Sequence, residues 1–183
     1  MSKEFSTLSK SLVYENPWMQ VYEHKILRRG REGIYGVVHR EHSVIIIPLT
    51  PSRKTVLLKQ YRYPTDGDSW ELPMGGIGEA ESEIEAAKRE LCEETGLSSP
   101  PLVQIGSYYA VPGLTPQRVT VFVTDVTETD LLALAPPAES DDIQSGKVFA
   151  LSEVYDMVSR GMITDGFTLV GLLYLRLFLE ELP

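Results

Sequence analysis

Acidic residues are concentrated in residues 75–97, which read GGIGEAESEIEAAKRELCEETGL and hold seven acidic side chains against two basic ones. The middle of this stretch is rich in helix formers and ends at Gly96, a residue typical of the position after a helix. Side chains three and four positions apart share one face of a helix, so Glu90, Glu93 and Glu94 are neighbours. Three adjacent carboxylates are suited to holding a divalent cation.

This clustering of glutamates is unfavourable for the helix itself. Each pair of like charges at this spacing costs about 0.2–0.5 kcal/mol. Each anion in the last turns costs roughly 0.3–1 kcal/mol more against the helix dipole. A solvated, charged helix surface is the simplest alternative, but it does not explain why the carboxylates gather at the unfavourable end. A bound Mg²⁺ does explain it, because this ion takes oxygen ligands from carboxylates, substrate phosphates and water.

Glycines and one arginine accompany the carboxylates. The glycines within residues 75–78 permit unusual backbone conformations and the close approach of a ligand, although an ordinary strand-to-helix turn is the alternative. Arg89 lies four positions from both Glu85 and Glu93. We therefore expect Arg89 to pair with these two glutamates and to orient the cluster.

The elements that must position this cluster follow from residue types. Runs dominated by β-branched and aromatic residues predict strands. The predicted strands cover residues 11–15, 19–29, 33–40, 43–49, 54–61, 102–110, 117–125 and 147–150. Helices are predicted at residues 81–95, 151–160 and 167–181, and proline-containing loops at 63–69, 111–116 and 135–146.

The order of these elements bears on the fold class. Strands and helices do not alternate regularly, so a doubly wound parallel sheet is disfavoured and a mixed sheet between helices is favoured. In the helix at residues 81–95, Ile84, Ala87 and Leu91 form a narrow apolar stripe. We expect this stripe to dock on the sheet, while the glutamates occupy another face of the helix.

The composition fits one globular domain. The chain has 183 residues, of which 43% are hydrophobic and 23% charged, and these values argue against a disordered or fibrous protein. The formal net charge is −9, but residues 1–62 carry 11 basic against 5 acidic side chains. Nucleic acid is disfavoured as a partner, because its binding depends on clustered cations. A small phosphorylated ligand on the basic side remains compatible with these charges.

No targeting or membrane segment is expected. The single cysteine, Cys92, excludes an internal disulfide framework. The opening MSKEFSTLSK lacks the apolar core of a secretory signal. The longest apolar run, FTLVGLLYLRLFLEEL, is interrupted by Arg176 and is shorter than the ~20 residues needed to span a bilayer. We therefore expect a cytoplasmic protein with no membrane partner.

The spacing of the acidic motif resembles the signature of a known family. Gly75 is followed after five residues by Glu81, and after seven more by the run Arg89-Glu90-Leu91-x-Glu93-Glu94-x-Gly96-Leu97. This pattern matches the Nudix box at every required position. The resemblance implies an α/β fold, a Nudix-type α/β/α sandwich with a mixed β-sheet and an N-terminal antiparallel β extension. It also implies a single domain over residues 1–183, in which residues 1–40 serve dimerisation.

The Nudix resemblance implies a reaction and a metal. Proteins of this family hydrolyse a nucleoside diphosphate linked to another moiety, with Mg²⁺ or Mn²⁺ bound by the glutamates of the box. The implied metal ligands are the Met74 carbonyl, Glu90, Glu93 and Glu94. Ions held there neutralise phosphate oxygens, lower the pKa of a bound water and hold it in line with phosphorus.

Outside the box, the chain resembles the ADP-ribose pyrophosphatase branch of the family. The segment KQYRYPTDGDSWELPMGG is similar to that branch's approach to the box, VPGLTP contains a proline-glycine pair, and ITDGFTLVGLL is similar to its final helix. The resemblance implies that a homodimer hydrolyses ADP-ribose to AMP and ribose 5-phosphate. The alternatives are hydrolysis of GDP-mannose or an ADP-hexose, and a noncatalytic ligand sensor with the same fold.

The residues assigned to the substrate combine aromatic, charged and backbone groups. Arginines suit diphosphates because guanidinium contacts can be bidentate, with an ordinary surface position as the alternative. A tryptophan can stack on adenine, with packing on a strand face as the alternative. The candidates are Trp18, Arg28, Arg62, Glu71, Gly75, Gly76 and Pro112.

The sequence leaves two candidates for the catalytic base. Many relatives place a glutamate soon after the proline-glycine pair, but this chain has Gln117 there, and an amide cannot accept a proton at neutral pH. The loop APPAESDDIQSG offers Glu139, Asp141 and Asp142, for which a solvated loop tip is the alternative. Glu93 of the metal cluster is the other candidate. The candidate catalytic residues are therefore Glu93, Glu139 and the orienting Arg89.

Overall fold

Contacts within the chain divide it into two units. The computed structural model describes residues 5–98, 101–134 and 143–181. The first unit comprises the residues up to His42 together with Tyr108–Arg118. The second unit comprises Ser43–Ser107 and the residues from Val119 onward, and it contains the whole acidic motif.

The first unit is built on an antiparallel sheet. Its strands are β1 (Phe5–Asn16), β2 (Met19–Arg28) and β3 (Arg31–His39), paired in the order β1-β2-β3. Arg29 and Gly30 form the turn between β2 and β3, and both adopt positive φ (49° and 77°), which matches the twist of paired strands. The predicted N-terminal antiparallel extension is confirmed, and β1 is longer than the predicted strand.

The loop that contains the proline-glycine pair is bonded to β3. The Val38 N–H donates to the Leu114 carbonyl at 2.9 Å, and the Tyr35 hydroxyl donates to the Gly113 carbonyl at 3.0 Å. Hydrogen bonds from two positions of one strand therefore fix this loop within the first unit.

The second unit contains a mixed four-stranded sheet. Its strands are β4 (Ser43–Leu49), β7 (Met74–Gly76), β8 (Leu102–Tyr109) and β9 (Arg118–Asp125). They are paired in the order β7-β4-β9-β8, with β4 parallel to β9 and antiparallel to β7. Almost all of β4 is buried, which accounts for its continuous apolar sequence SVIIIPL.

A second sheet in this unit is fully antiparallel. It consists of β5 (Lys54–Arg62), β6 (Gly67–Glu71) and β10 (Ile143–Ala150), paired in the order β10-β5-β6. The sequence predicts a loop at residues 63–69, where β6 begins, because proline and glycine interrupt that segment. In the structure, a 3₁₀ turn at Tyr63–Thr65 and a left-handed Asp66 (φ 48°) reverse the chain so that β6 can pair with β5.

Four helices complete the described part of the chain. They are α1 (Glu83–Thr95), α2 (Glu128–Leu132), α3 (Leu151–Ser159) and α4 (Gly166–Glu181), and α2 was not predicted. The start of α1 is set by a capping box, in which the Ser82 hydroxyl accepts from the Glu85 N–H and the Glu85 carboxylate accepts from the Ser82 N–H. Gly96, with φ 72°, ends the helix.

The mixed sheet is covered by helices on both faces. The cluster that contains Val44 and Ile46 of β4 also contains Ala87 and Leu91 of α1. Because side chains alternate along a strand, Ile45 points to the opposite face. There it lies against α4, where a Cβ at Gly171 would be 3.3 Å from Ile45 Cγ2. The predicted α/β/α sandwich with a mixed sheet is confirmed.

One detail of the predicted helix stripe is wrong. Ile84 is 49% exposed, whereas Ala86, Ala87 and Leu91 are fully buried. Ile84 lies in the first turn of α1, and the buried side chains of that helix begin only at Ala86.

Candidate active site

The last turn of α1 is bonded to the backbone of β7. Met74 of β7 lies opposite Ile45 of β4 in the sheet. The Met74 N–H donates to Glu94 Oε2 at 2.8 Å. This bond fixes one oxygen of the Glu94 carboxylate beside the strand that precedes the helix.

The Glu90 carboxylate lies against the backbone of Gly75. A Cβ atom at residue 75 would be 2.0 Å from both the Glu90 carboxylate carbon and its Oε1. The side chain of Glu90 is only 13% exposed. Gly75 does not adopt a positive φ. The glycine is therefore required by the space that Glu90 occupies rather than by the conformation of the turn.

Arg89 connects several groups of the motif. Its guanidinium donates two hydrogen bonds to Glu81, both at 2.9 Å. It also donates to Glu90 Oε1 at 2.7 Å, to Glu93 Oε2 at 3.0 Å and to the Gly76 carbonyl at 2.9 Å. Arg89 therefore holds the turn before α1 against the glutamate face of the helix.

The expected pairing of Arg89 with Glu85 is wrong. The Glu85 carboxylate is used in the capping box with Ser82, and the partner of Arg89 is Glu81. Glu81 precedes the helix, so no helical spacing could reveal this contact. The signal in the sequence that singled out Glu81 was its position in the pattern of the Nudix box.

The carboxyl groups of the cluster differ in proton affinity. Desolvation by burial raises the pKa of Glu94 to about 8, with the negative charge of Glu90 contributing in the same direction. Burial also raises the pKa of Glu90, although Arg89 opposes the shift. Hydrogen bonds from Arg89 lower the pKa of Glu81 to about 2. Burial thus favours the neutral form of Glu94 and Glu90, whereas the contact with Arg89 favours the ionised form of Glu81.

The donor set is compatible with a divalent cation that is shared with a substrate. Among the described residues, no group of three or more His, Cys, Asp or Glu side chains is arranged to hold a metal by itself. Mg²⁺ commonly uses one or two carboxylates and completes its coordination with phosphate oxygens and water. Glu90 and Glu94 supply two such carboxylates, and a cation bound beside them would offset the desolvation that raises the pKa of each.

Arg62 and Glu71 form an ion pair near this cluster. The guanidinium donates two hydrogen bonds to the carboxylate, one of them at 2.8 Å. The Glu71 side chain is 1% exposed, whereas that of Arg62 is 40% exposed. The pKa of Glu94 responds to the charges of both residues. The pair therefore lies close to Glu94, and the Arg62 side chain is partly exposed.

The other predicted site residues lie elsewhere in the chain. Trp18, Arg28 and Pro112 belong to the first unit, where Trp18 is 76% exposed and the Arg28 guanidinium lies 5.1 Å from the ring centroid of Phe5. Glu139 lies outside the described residues, as do the other acids of its loop.

Gln117 has a local role in the first unit. It is 4% exposed, and its side-chain amide donates to the Glu41 carbonyl at 2.8 Å. The residue that stands where many relatives carry an acid is thus a buried hydrogen-bond donor to the backbone.

The raised pKa of Glu94 predicts how the stability of the metal-free protein depends on pH. The folded state keeps the Glu94 proton up to about pH 8, while the unfolded chain loses it near the ordinary value of 4.5. The free energy of unfolding therefore falls as the pH rises between these values. Each pKa unit corresponds to about 1.4 kcal/mol, and 1 kcal/mol shifts the melting temperature by roughly 2–4 °C in a chain of this size.

We expect the melting temperature of the metal-free protein to drop by at least about 5 °C more than that of Glu94→Gln over this pH range. Circular dichroism melts of both proteins in the presence of a chelator measure the difference. If the melting temperatures of the two proteins change in parallel with pH, Glu94 ionises normally in the folded state.

Comparison with known proteins agrees with the architecture and the motif. The family model for the NUDIX domain matches residues 39–165. A solved structure described as the crystal structure of an ADP compounds hydrolase superposes with a TM-score of 0.81 and 19% identity, covering 97% of this chain and 95% of that chain. At this identity the likeness shows the shared fold.

Two curated relatives carry the same name. An ADP-ribose pyrophosphatase of Bacillus subtilis (strain 168) is 25% identical over 177 residues, which are 96% of this chain and 95% of that protein. An ADP-ribose pyrophosphatase of Escherichia coli (strain K12) is 30% identical over 152 residues, which are 80% of this chain and 73% of that protein.

The chain belongs to the Nudix family and is a Nudix hydrolase. Its resemblance to the ADP-ribose pyrophosphatase branch of that family is confirmed. Within the described residues, no helix is both long and apolar enough to cross a membrane.

Proposed function

We propose that this protein is a Mg²⁺-dependent pyrophosphatase that hydrolyses ADP-ribose to AMP and ribose 5-phosphate, with Mn²⁺ as an alternative ion. The observation that carries the proposal is the pair of partly buried carboxyl groups, Glu90 against Gly75 and Glu94 bonded to the Met74 N–H, on the helix of an intact Nudix box. The names of the curated relatives support the choice of substrate. A nucleotide sugar is a small ligand, so nucleic acid and membrane are not part of this proposal.

The roles of the site residues follow from their contacts. Glu90, Glu94, Glu93 and the Met74 carbonyl would hold the ion, which when bound supplies charge neutralisation at the phosphates and an activated water. Arg89 keeps the Glu90 carboxylate in place through its 2.7 Å hydrogen bond. Gly75 leaves room for that carboxylate, and the Gly76 carbonyl anchors Arg89.

Arg62 and Glu71 are proposed to serve the diphosphate. Glu71 is almost completely buried and holds two nitrogens of the Arg62 guanidinium. The guanidinium, on a side chain that is 40% exposed, is suited to donating to phosphate oxygens because its planar fork is already oriented. Arg62 is then the substrate contact, and Glu71 is the residue that positions it.

Several further assignments rest on the family resemblance. We propose that Trp18, Arg28 and Pro112 contact the substrate, and that the chain acts as one Nudix domain in the cytoplasm. Residues 1–40 are proposed to form a homodimer interface. The exposed apolar side chains of β1 support this role, since Leu8, Leu12 and Val13 are each about half exposed. Analytical ultracentrifugation that shows only monomers at assay concentration would refute the dimer.

The catalytic base is tested by two isosteric substitutions. If the base lies in the acidic loop, Glu139→Gln should lower kcat by about 10²-fold or more with little change in KM. If the base belongs to the metal cluster, Glu93→Gln should show that loss instead. Steady-state kinetics of both variants decide between them. Full activity of Glu139→Gln would eliminate the loop, and full activity of both variants would eliminate both candidates.

The substrate is tested by a panel of compounds. We expect kcat/KM for ADP-ribose to exceed that for GDP-mannose, an ADP-hexose, NADH, diadenosine polyphosphates and oxidised dNTPs by at least about tenfold, or ~1.4 kcal/mol. A preference for GDP-mannose or an ADP-hexose would reassign the substrate within the enzyme class. Binding without turnover of any compound would favour the noncatalytic sensor, which the intact box carboxylates argue against.

A further inference from the structure

A cavity that is open to solvent lies in the second unit, apart from the acidic motif. Its volume is about 520 Å³, and its walls come from β6, β10, α3 and the segment after α3. Trp70, Phe149, Met157 and Met162 supply the apolar part of the lining. This volume falls within the roughly 300–1,000 Å³ of pockets that accommodate small organic ligands.

The cavity lies on the opposite face of the sheet from the Arg62–Glu71 pair. Trp70 and Glu71 are consecutive residues of β6, and consecutive side chains of a strand point to opposite faces. Glu71 points to the face that carries Arg62. Trp70 and the cavity therefore face away from the candidate active site, so a ligand bound there does not occupy the place of the substrate.

The apolar wall of the cavity is aromatic. The rings of Trp70 and Phe149 are in edge-to-face contact, with centroids 5.3 Å apart and an interplanar angle of 84°. The Lys147 ammonium lies 5.0 Å from the centroid of Phe149. Thioethers also pack well against aromatic rings. A flat ring is the ligand shape that such a wall accommodates best.

The charged part of the lining is balanced. It contains two cations, Lys147 and Arg160, and two carboxylates, Glu153 and Asp156. Arg160 pairs with Asp156 at 3.1 Å, and Lys147 is placed over an aromatic ring. An isolated anion is not favoured by this balance, whereas carboxylate oxygens can accept hydrogen bonds from the amino group of a ring.

We propose that this cavity binds a planar heteroaromatic ring with an exocyclic amino group, the chemistry of an adenine base. The ring contacts Trp70 and Phe149, and its amino group donates to Glu153 or Asp156. Free adenosine and an adenine nucleotide share this ring, and both are used as probes. The site is separate from the proposed hydrolase activity and does not depend on it.

Tryptophan fluorescence tests this proposal directly. The chain has two tryptophans, so Trp18→Phe leaves Trp70 as the single reporter. In this background, we expect adenosine and AMP to change the emission of Trp70 saturably, while inorganic phosphate does not. A stronger response to AMP than to adenosine would show that the phosphate also contributes. A response that only rises linearly with either compound, or a saturable response to phosphate alone, would overturn the proposal.

Two changes in the cavity wall localise the ligand. Phe149→Ala removes part of the aromatic wall, and Asp156→Ala removes the hydrogen-bond acceptor of an exposed side chain without risk to the core. In the Trp18→Phe background, each substitution should raise the apparent Kd for adenosine by about tenfold. Leu132→Ala, which removes an exposed apolar side chain from α2, is the control and should not change it. An unchanged Kd in both cavity variants would place the ligand elsewhere and refute the site.

Discussion

Glu94→Gln should lower kcat by at least about 10³-fold, a loss of ~4 kcal/mol of transition-state stabilisation, while the protein remains folded. Glu94 has a pKa of about 8 in the metal-free protein, so it is already mostly neutral at pH 7. Glutamine has the same shape and can still accept the hydrogen bond from the Met74 N–H. The substitution therefore removes the negative charge available to a cation and little else.

The measurement combines steady-state kinetics with Mg²⁺ titration. Glu94→Gln should also require much more Mg²⁺ for its residual activity. Glu85→Gln is a matched control on the same helix, because Gln at this position still supports the capping box and is not expected to touch the substrate. Activity of Glu94→Gln within a few-fold of that control would show that Glu94 is not a metal ligand.

Gly75→Ala should lower kcat by about 10²-fold or more, because it displaces a neighbouring carboxylate. The added Cβ would lie 2.0 Å from Glu90, closer than any real contact, so either Glu90 or the β7 backbone must move. Movement of Glu90 also breaks its 2.7 Å hydrogen bond with Arg89. The effect is therefore expected at the candidate metal site rather than in the fold.

The control for this change is another glycine-to-alanine substitution. At Gly166, no heavy atom lies within 4 Å of the added Cβ, so Gly166→Ala should leave kcat unchanged. Circular dichroism and the melting temperature report whether Gly75→Ala retains its fold. If folded Gly75→Ala keeps full activity, Glu90 can move without consequence and does not hold the ion where we place it.

The helix of the acidic motif was predictable because its boundaries are local. Its first turn is fixed by the capping box of Ser82 and Glu85, and its end by the left-handed Gly96. Strand β6 was missed because its pairing depends on a distant partner, β5, whereas the local residues Pro64 and Gly67 favour a loop. Local signals placed this helix, whereas the pairing of β6 is decided by tertiary contacts.

The same distinction applies within the site. The sequence grouped Glu90, Glu93 and Glu94 from helical spacing alone. It could not show that Glu94 is partly buried and bonded to Met74, nor that Arg89 pairs with Glu81 rather than with Glu85. These contacts join segments that no helical period relates, so only the folded chain reveals them.

The central claim is most directly tested by measuring AMP and ribose 5-phosphate formed from ADP-ribose by the wild-type protein, with Mg²⁺ and with excess chelator. We predict equal amounts of the two products with Mg²⁺, and at least about 10³-fold less of each with chelator. Formation of neither product with Mg²⁺ or Mn²⁺, or an undiminished rate in the presence of chelator, would contradict the account.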